Sequence, residues 1–304
     1  MTCDLTNPIF TNEEKAIAHM EADRWPNGVI CPLCGVDTVT KMGGKTQAGM
    51  FMCNGCRGKF TVRTGTIFER SHIPLHKWLL ATHLMASSKK GISAHQLHRM
   101  LGITYKSAWF MAHRIREAMS PAGKLPPMGG EGKIVEADET YVGRKRGRKA
   151  VKGAAGYHMH TVVALVERGG PVRSFHVKSR LTKKEARKIL FENVHLASDV
   201  VTDDSAIYPA PAANFAQHST VNHTAGEYVR GDIYTNTIEG VFSIFKRGMI
   251  GTYQHCGEQH LQRYLNEFDF RYSNRTAMGI DDDGRATRIL KGAEGKRLTY
   301  RQVG

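Results

Sequence analysis

The hydrophobic rhythm of the chain changes part-way along. Up to residue 120, apolar residues recur at the three- and four-residue steps of helices; from residue 133 they alternate or run together, as strands do. TNEEKAIAHMEADRW (11–25) opens on Thr11 with Glu14 three places on, a capping-box pattern. It predicts a helix of about three turns, ended by the Pro26-Asn27-Gly28 turn. LHKWLLATHLMASS (75–88) predicts a second helix. SAHQLHRML predicts a short one from Ser93, Gly102 breaks it, and TYKSAWFMAHRIREAM starts a longer one at Thr104. PAGKLPPMGGEG (121–132), rich in Pro and Gly, predicts a linker.

Beyond it, KIVEADETYVG (133–143), HTVVALVER (160–168) and PVRSFHVKS (171–179) predict three strands, the last two joined at Gly169-Gly170. TKKEARKILFENV (182–194) predicts a helix with Thr182 and Glu185 as its capping box. SDVVTDDSAIY (198–208) follows as a short buried strand, and HSTVNH (218–223) as another candidate. In IYTNTIEGVFSIFKRG (233–248), Ile238, Phe242, Phe245 and Met249 share one side of a helix. Glu239 lies on the flank of that stripe, in a polar line with Asn236, Ser243 and Lys246. This order of elements predicts an α/β layered domain with a mixed sheet.

Charge narrows the function. The 304 residues carry a formal net charge of +15, and 41% of them are hydrophobic. Such a chain is a soluble globular protein whose surface attracts polyanions, nucleic acid first. No apolar run approaches the roughly 20 residues of a membrane span, and MTCDLTNPIF has no secretory pattern. No membrane partner and a cytoplasmic location are expected.

Four of the six cysteines form two Cys-x-x-Cys pairs, Cys31/Cys34 and Cys53/Cys56, with eighteen residues between them. That spacing predicts one four-thiolate Zn²⁺ site, closed and structural, with Gly35 and Gly58 relaxing the two knuckles. Cys3 and Cys256 read as bystanders. The paired helices around Gly102 have a helix-turn-helix pattern, with Tyr105 and Lys106 at the start of the second helix as DNA contacts.

The acidic residues carry the chemistry. Asp138 lies in the first long strand, Asp203 closes the fourth, and Glu239 follows it after thirty-five intervening residues, near the start of a helix. Carboxylates from two strands and a facing helix can hold two Mg²⁺ (or Mn²⁺) ions about 3.5–4 Å apart for phosphodiester displacement. Lys246, on the same helix line, would reach a phosphate. RKRGRK contributes Arg144, Lys145, Arg146, Arg148 and Lys149 as backbone-phosphate contacts.

Taken together, these residues resemble the DDE transposases of bacterial insertion sequences, in the family that pairs an N-terminal zinc ribbon with an ISXO-type, RNase H-like catalytic domain. The matching stretches are RWPNGVICPLCG, RTGTIFERSHIPLHKWLLA, KKGISAHQLHRMLGITYKSAWFMAHRIREAM, VEADETYVG, VVTDD, YTNTIEGVFSIFKRGMIGTY and YLNEFDFRYSNR, spanning about residues 11 to 275. The resemblance implies an RNase H-like fold, divalent metal, and end cleavage with strand transfer. It implies double-stranded DNA partners (transposon ends and target), a homodimer or higher oligomer that joins two ends, and association with the bacterial nucleoid. Carried over, the catalytic positions are Asp138, Asp203 and Glu239 with Lys246. Asn236 is an alternative to Glu239, and Asp204 to Asp203. The chemistry favours Glu239, since an anionic ligand offsets more of the metal charge, and assigns Asn236 to capping the helix or positioning DNA. The implied organisation is an N-terminal helix (1–28), zinc ribbon (29–74), helix-turn-helix region (75–120), linker (121–132), catalytic domain (133–280) and basic C-terminal tail (281–304). A DNA-binding regulator, or an inactive derivative with the same ribbon and helices, is the competing reading.

Overall fold

The first helix, α1 (Glu13–Arg24), is capped one residue later than its sequence pattern predicts. Asn12 accepts the Lys15 N–H at its N-terminus, and the capping box from Thr11 does not form. Asn ranks above Thr as an N-cap, which fits this one-residue shift. The structure, a computed structural model, describes residues 4–43, 48–152, 155–222, 225–227 and 229–299; Cys3 and His223 lie outside them. Its described residues divide into two compact units, Met1–Ser88 with Ile92–Ser120 and Ile280–Gly304, and Lys89–Gly91 with Pro121–Gly279.

The first unit joins a three-stranded antiparallel sheet, β1 (Val39–Lys41), β2 (Phe51–Cys53) and β3 (Lys59–Phe60), to a set of helices. These are α2 (Leu75–Ser87), α3 (Ala94–Leu101) and α4 (Tyr105–Met119). Ser93 and Thr104 cap α3 and α4 with their side chains, and Gly102 closes α3 in the left-handed conformation, as the pattern predicts. The segment expected as a basic tail differs: it contains a helix, Asp282–Lys291. Asp281 caps this helix, Ile289, Leu290 and Ala293 are buried, and Arg285 Nε donates to the Ala86 carbonyl. Its apolar residues supply the reason: burying Ile289 and Leu290 at its end, with Ala293 just beyond, outweighs the solvation of its charges.

The second unit is built on a five-stranded mixed sheet. Its strands are β4 (Ile134–Val142), β5 (His160–Glu167), β6 (Val172–Val177), β7 (Asp199–Asp203) and β8 (Gln217–Val221), in spatial order β6-β5-β4-β7-β8. β5 runs antiparallel to β4 and β6, while β7 and β8 run parallel to β4. Short helices α5 (Ala155–His158) and α7 (Pro209–Ala212) lie in the connections. The crossover from β6 to β7 passes through α6 (Lys183–Asn193), which has the predicted Thr182/Glu185 capping box. A small hairpin, β9 (Val229–Arg230) with β10 (Ile233–Tyr234), precedes α8 (Asn236–Gly248). α9 (Leu261–Ser273) completes the unit. This is the mixed α/β architecture of an RNase H-like domain.

Alternation along β4 builds two cores. Val135, Ala137 and Val200 pack with Ala186 and Leu190 of α6 on one face. Val142, Val162 and Ala164 pack on the other with Ile238, Phe242 and Phe245 of α8 and Leu265 and Phe268 of α9. The predicted linker is docked rather than loose at its second half. Met128 is buried in the α6-side core and bridges Val194, because an apolar side chain beside the β6–β7 crossover gains by burial.

Candidate active site and metal centre

Parallel register sets the first two carboxylates side by side. β4 and β7 pair as Glu136 with Val201 and Ala137 with Thr202. One step further along both strands, Asp138 falls beside Asp203 on the face that carries α8. Asp203 is half-buried and accepts the Ser205 N–H at 3.1 Å, whereas Asp204 is exposed. β7 ends at Asp203, and Asp204 lies in the bend that follows it.

Glu239 comes from above, and a buried carboxylate fixes where it stands. Glu136 is fully buried two residues before Asp138 on the same face. Its Oε2 accepts the Ile238 N–H at 2.9 Å, so it occupies the open N-terminus of α8, where a negative charge is favoured. Its Oε1 accepts from Arg168 Nε at 2.7 Å, and Arg168 also donates to the carbonyls of Asp232 and Tyr234. The helix start, the hairpin and the central strand are thereby tied together next to Asp138. Thr235 is the N-cap residue and makes no side-chain cap bond; Asn236 is the first helical residue and exposed, so the expected capping role for Asn236 is not the one observed. Glu136 fills that role from the sheet. Glu239, Ser243 and Lys246 lie on the exposed flank of α8, beside the buried stripe of Ile238, Phe242 and Phe245, while Met249 is half-buried in a short π-helical extension.

The electrostatics register the convergence. Burial, then the charges of Asp203, Glu139 and Glu239, push the Asp138 carboxyl up to about 8, against a Glu139 N–H that donates to it at 2.7 Å. Glu139, on the opposite face, is also raised by burial, opposed by the Tyr208 hydroxyl that donates to it at 2.7 Å. A carboxyl raised in the folded state contributes stability at low pH that is lost as pH rises. Without added Mg²⁺, the wild-type protein should therefore lose stability relative to Asp138→Asn as pH climbs from the usual 3.8 through about 8, and no further above it. Paired thermal melts across that range check it; parallel curves for the two proteins would show that Asp138 is not under this strain.

The basic run after β4 borders a cavity of about 1170 Å³ lined by Lys145, Arg146, Arg148, Lys178 and Arg180. Tyr141 also lines it. Burial, then the charges of Glu139, Asp138 and Asp203, raise its hydroxyl. Arg148 donates to the Tyr157 hydroxyl at 3.0 Å, and Lys145 to the Gly156 carbonyl at 3.0 Å; Arg144 and Lys149 are exposed. In the first unit, Tyr105 is 44% exposed and stacks on His95 at 4.2 Å, and Lys106 is exposed beside it.

The four predicted cysteines converge, with all four Sγ atoms within 4.8 Å of one another. Cys31 and Cys56 approach to 3.8 Å and Cys34 and Cys53 to 3.5 Å. A tetrahedral shell with Zn–S bonds near 2.3 Å has S···S edges of about 3.8 Å, so the set fits zinc. Gly35 supports its knuckle with φ +79°, and Gly58 by space, since a Cβ there would come within 2.6 Å of Leu33 Cδ1. Cys256 is half-buried and takes no part.

Glu136 and Arg168 escape sequence reasoning because their contacts to α8 and the hairpin span 102 and 64–66 residues. The i, i+2 spacing of Glu136 and Asp138 in one strand was the available signal. α9 was also legible, from Leu261, Leu265 and Phe268 at helical spacing.

Residues 129–273 match the family model described as an ISXO2-like transposase domain, and residues 11–59 that of a transposase zinc-ribbon domain. An uncharacterized protein in transposable element ISH50 of Halobacterium salinarum is 28% identical over 276 residues, covering 86% of this chain and 91% of that protein. No helix among the described residues is long and apolar enough to cross a membrane. With a zinc ribbon, a mixed five-stranded sheet and two transposase domain matches in the expected order, the chain belongs to the insertion-sequence transposases that carry an N-terminal zinc ribbon.

Proposed function

We propose that this transposase binds the terminal inverted repeats of its element and cleaves and joins DNA strands through Asp138, Asp203 and Glu239. One observation carries the reading: Asp138, in register beside Asp203 on the face that carries α8, is a buried carboxyl raised by that burial and by the charges of Asp203 and Glu239. The donor set is all oxygen and its mutual repulsion is relieved by a hard cation, which fits Mg²⁺ or Mn²⁺. Bound by these three residues, the metal supplies activation of the attacking oxygen and stabilisation of the leaving one. Asp138 and Asp203 contribute ligands from the rigid sheet, and Glu239 from the helix that Glu136 holds in place. Lys246, two turns beyond Glu239, contacts a phosphate, and Asn236 positions DNA at the helix start. A homodimer or larger assembly brings two ends together.

DNA carrying the element's own ends, incubated with the full chain and Mg²⁺, should be nicked at those ends and joined to a target plasmid. Specific binding with no cleavage in Mg²⁺ or Mn²⁺ would favour the DNA-binding regulator instead.

Binding should separate into two parts. Replacing Arg144, Lys145, Arg146, Arg148 and Lys149 by Ala should weaken all duplexes alike and flatten the salt dependence, by about 0.9 in log–log slope for each phosphate no longer neutralised. Tyr105→Ala or Lys106→Ala should lower the preference for element ends by about 10- to 100-fold, the scale on which a single side chain discriminates one base. Titrations against end and random duplexes check both, and unchanged end preference in the helix variants would sink the assignment of α4.

A further inference from the structure

A second group of ligating side chains lies in the same unit, away from the carboxylates. His160 opens β5, and His176 on β6 faces Val162, two residues along the same side of the sheet, which makes the histidines diagonal neighbours. Their rings meet edge to face with centroids 5.5 Å apart. Glu258, in the short 3-10 turn Glu258–His260 ahead of α9, reaches the same spot. One ligand atom from each of the three lies within 4.8 Å of the other two.

Each histidine also carries an otherwise unexplained nitrogen. His160 is 6% exposed and its Nδ1 has no hydrogen-bond partner among the described residues; the buried Nε2 of His176 has none there either. Buried ring nitrogens nearly always find a partner. Here two histidines, each with an open buried nitrogen, cluster with one carboxylate, the arrangement that a cation satisfies. We infer that His160, His176 and Glu258 form a second transition-metal site, separate from the thiolate site and from the Asp138 cluster.

The donor set names the metal class. Two imidazoles and one carboxylate select Zn²⁺ or a similar first-row ion over Mg²⁺, which prefers oxygen alone. Small side-chain rotations bring the three atoms to the roughly 3.3 Å edges of a tetrahedral shell with bonds of 2.0–2.1 Å, leaving a fourth position open. The site joins the edge strand β6 and its neighbour β5 to the α8–α9 connection. That connection leaves the π-helical turn Met249–Tyr253 through Gln254 at φ +59°, and residues 254–257 have no regular structure. Metal at this point clips an irregular connection to the sheet.

The test is metal content and local protection in untagged full-length protein equilibrated with excess zinc and then desalted. Wild type should carry about two zinc ions per chain. Glu258→Gln, a change at an exposed residue that leaves the fold intact, should drop this to about one, as should His176→Ala. The combined Cys53→Ser and Cys56→Ser change should also leave about one, held by the histidine site. Hydrogen exchange over 254–260 should slow on adding zinc in wild type and not in Glu258→Gln. One zinc per wild-type chain, or two that survive both Glu258→Gln and His176→Ala, would overturn the site. DNA cleavage plays no part in these readouts, so their outcome is independent of the proposed strand-transfer chemistry.

Discussion

Replacing Glu239 by Gln should abolish Mg²⁺-dependent end cleavage, by on the order of 10³-fold or more, while end binding stays within about twofold. Gln keeps the length of the side chain and one carbonyl oxygen but removes the negative charge. Two Mg²⁺ ions bring a charge of about +4 to the site, and three carboxylates offset most of it where two do not. Binding survives because Glu239 is exposed and the helix is held by Ile238, Phe242 and Phe245 underneath and by Glu136 at its end. Asn236→Ala is the control. Asn236 is exposed and does not cap α8, so the change should retain measurable cleavage and cost less than the roughly 1 kcal/mol of a removed cap. Single-turnover cleavage and filter binding on the same preparations separate the two effects. Full cleavage by Glu239→Gln with none by Asn236→Ala would exchange their roles.

How far the site can be read from the sequence depends on the range of the contacts involved. The strand holding Asp138, the strand end at Asp203 and the amphipathic helix of Glu239 each follow from local periodicity. Their meeting point does not, because it depends on register between β4 and β7 and on Glu136, whose bond to Ile238 closes a loop of 102 residues. Residues 121–132 and 281–304 mislead for a related reason. Pro, Gly and charge dominate their composition, yet Met128 and the Ile289-Leu290 pair are enough to dock each segment onto its own unit. Cysteine spacing is the opposite case. Zinc chemistry restricts four thiolates to one small volume, so spacing alone specifies the knuckles, and all four sulfur atoms converge.

That same chemistry makes the ribbon the part of the molecule most dependent on a metal. Combining Cys53→Ser with Cys56→Ser should remove one zinc per chain and unfold the ribbon, leaving the α/β unit folded. The buried core that would remain is small: Phe51 and Phe60 stacked at 5.6 Å, with Trp25 edge-on to both. Its strands are two or three residues long, below the length at which a sheet supports itself. Structural zinc contributes about 10–16 kcal/mol in comparable small modules, far more than two buried phenyl rings at roughly 2–3 kcal/mol each. The Cys56 N–H points at the Cys53 sulfur at 3.5 Å and, as the first of several donors, lowers that thiol, while hydrogen bonds with the other sulfurs of the cluster raise Cys34. Serine offers no comparable ligand, and two such changes leave at most two thiolates. Amide exchange across residues 39–60 should become fast in the double variant, while exchange in β4 and β5 stays slow. A zinc-free double variant whose residues 39–60 remain protected would show that the aromatic cluster folds the ribbon without metal.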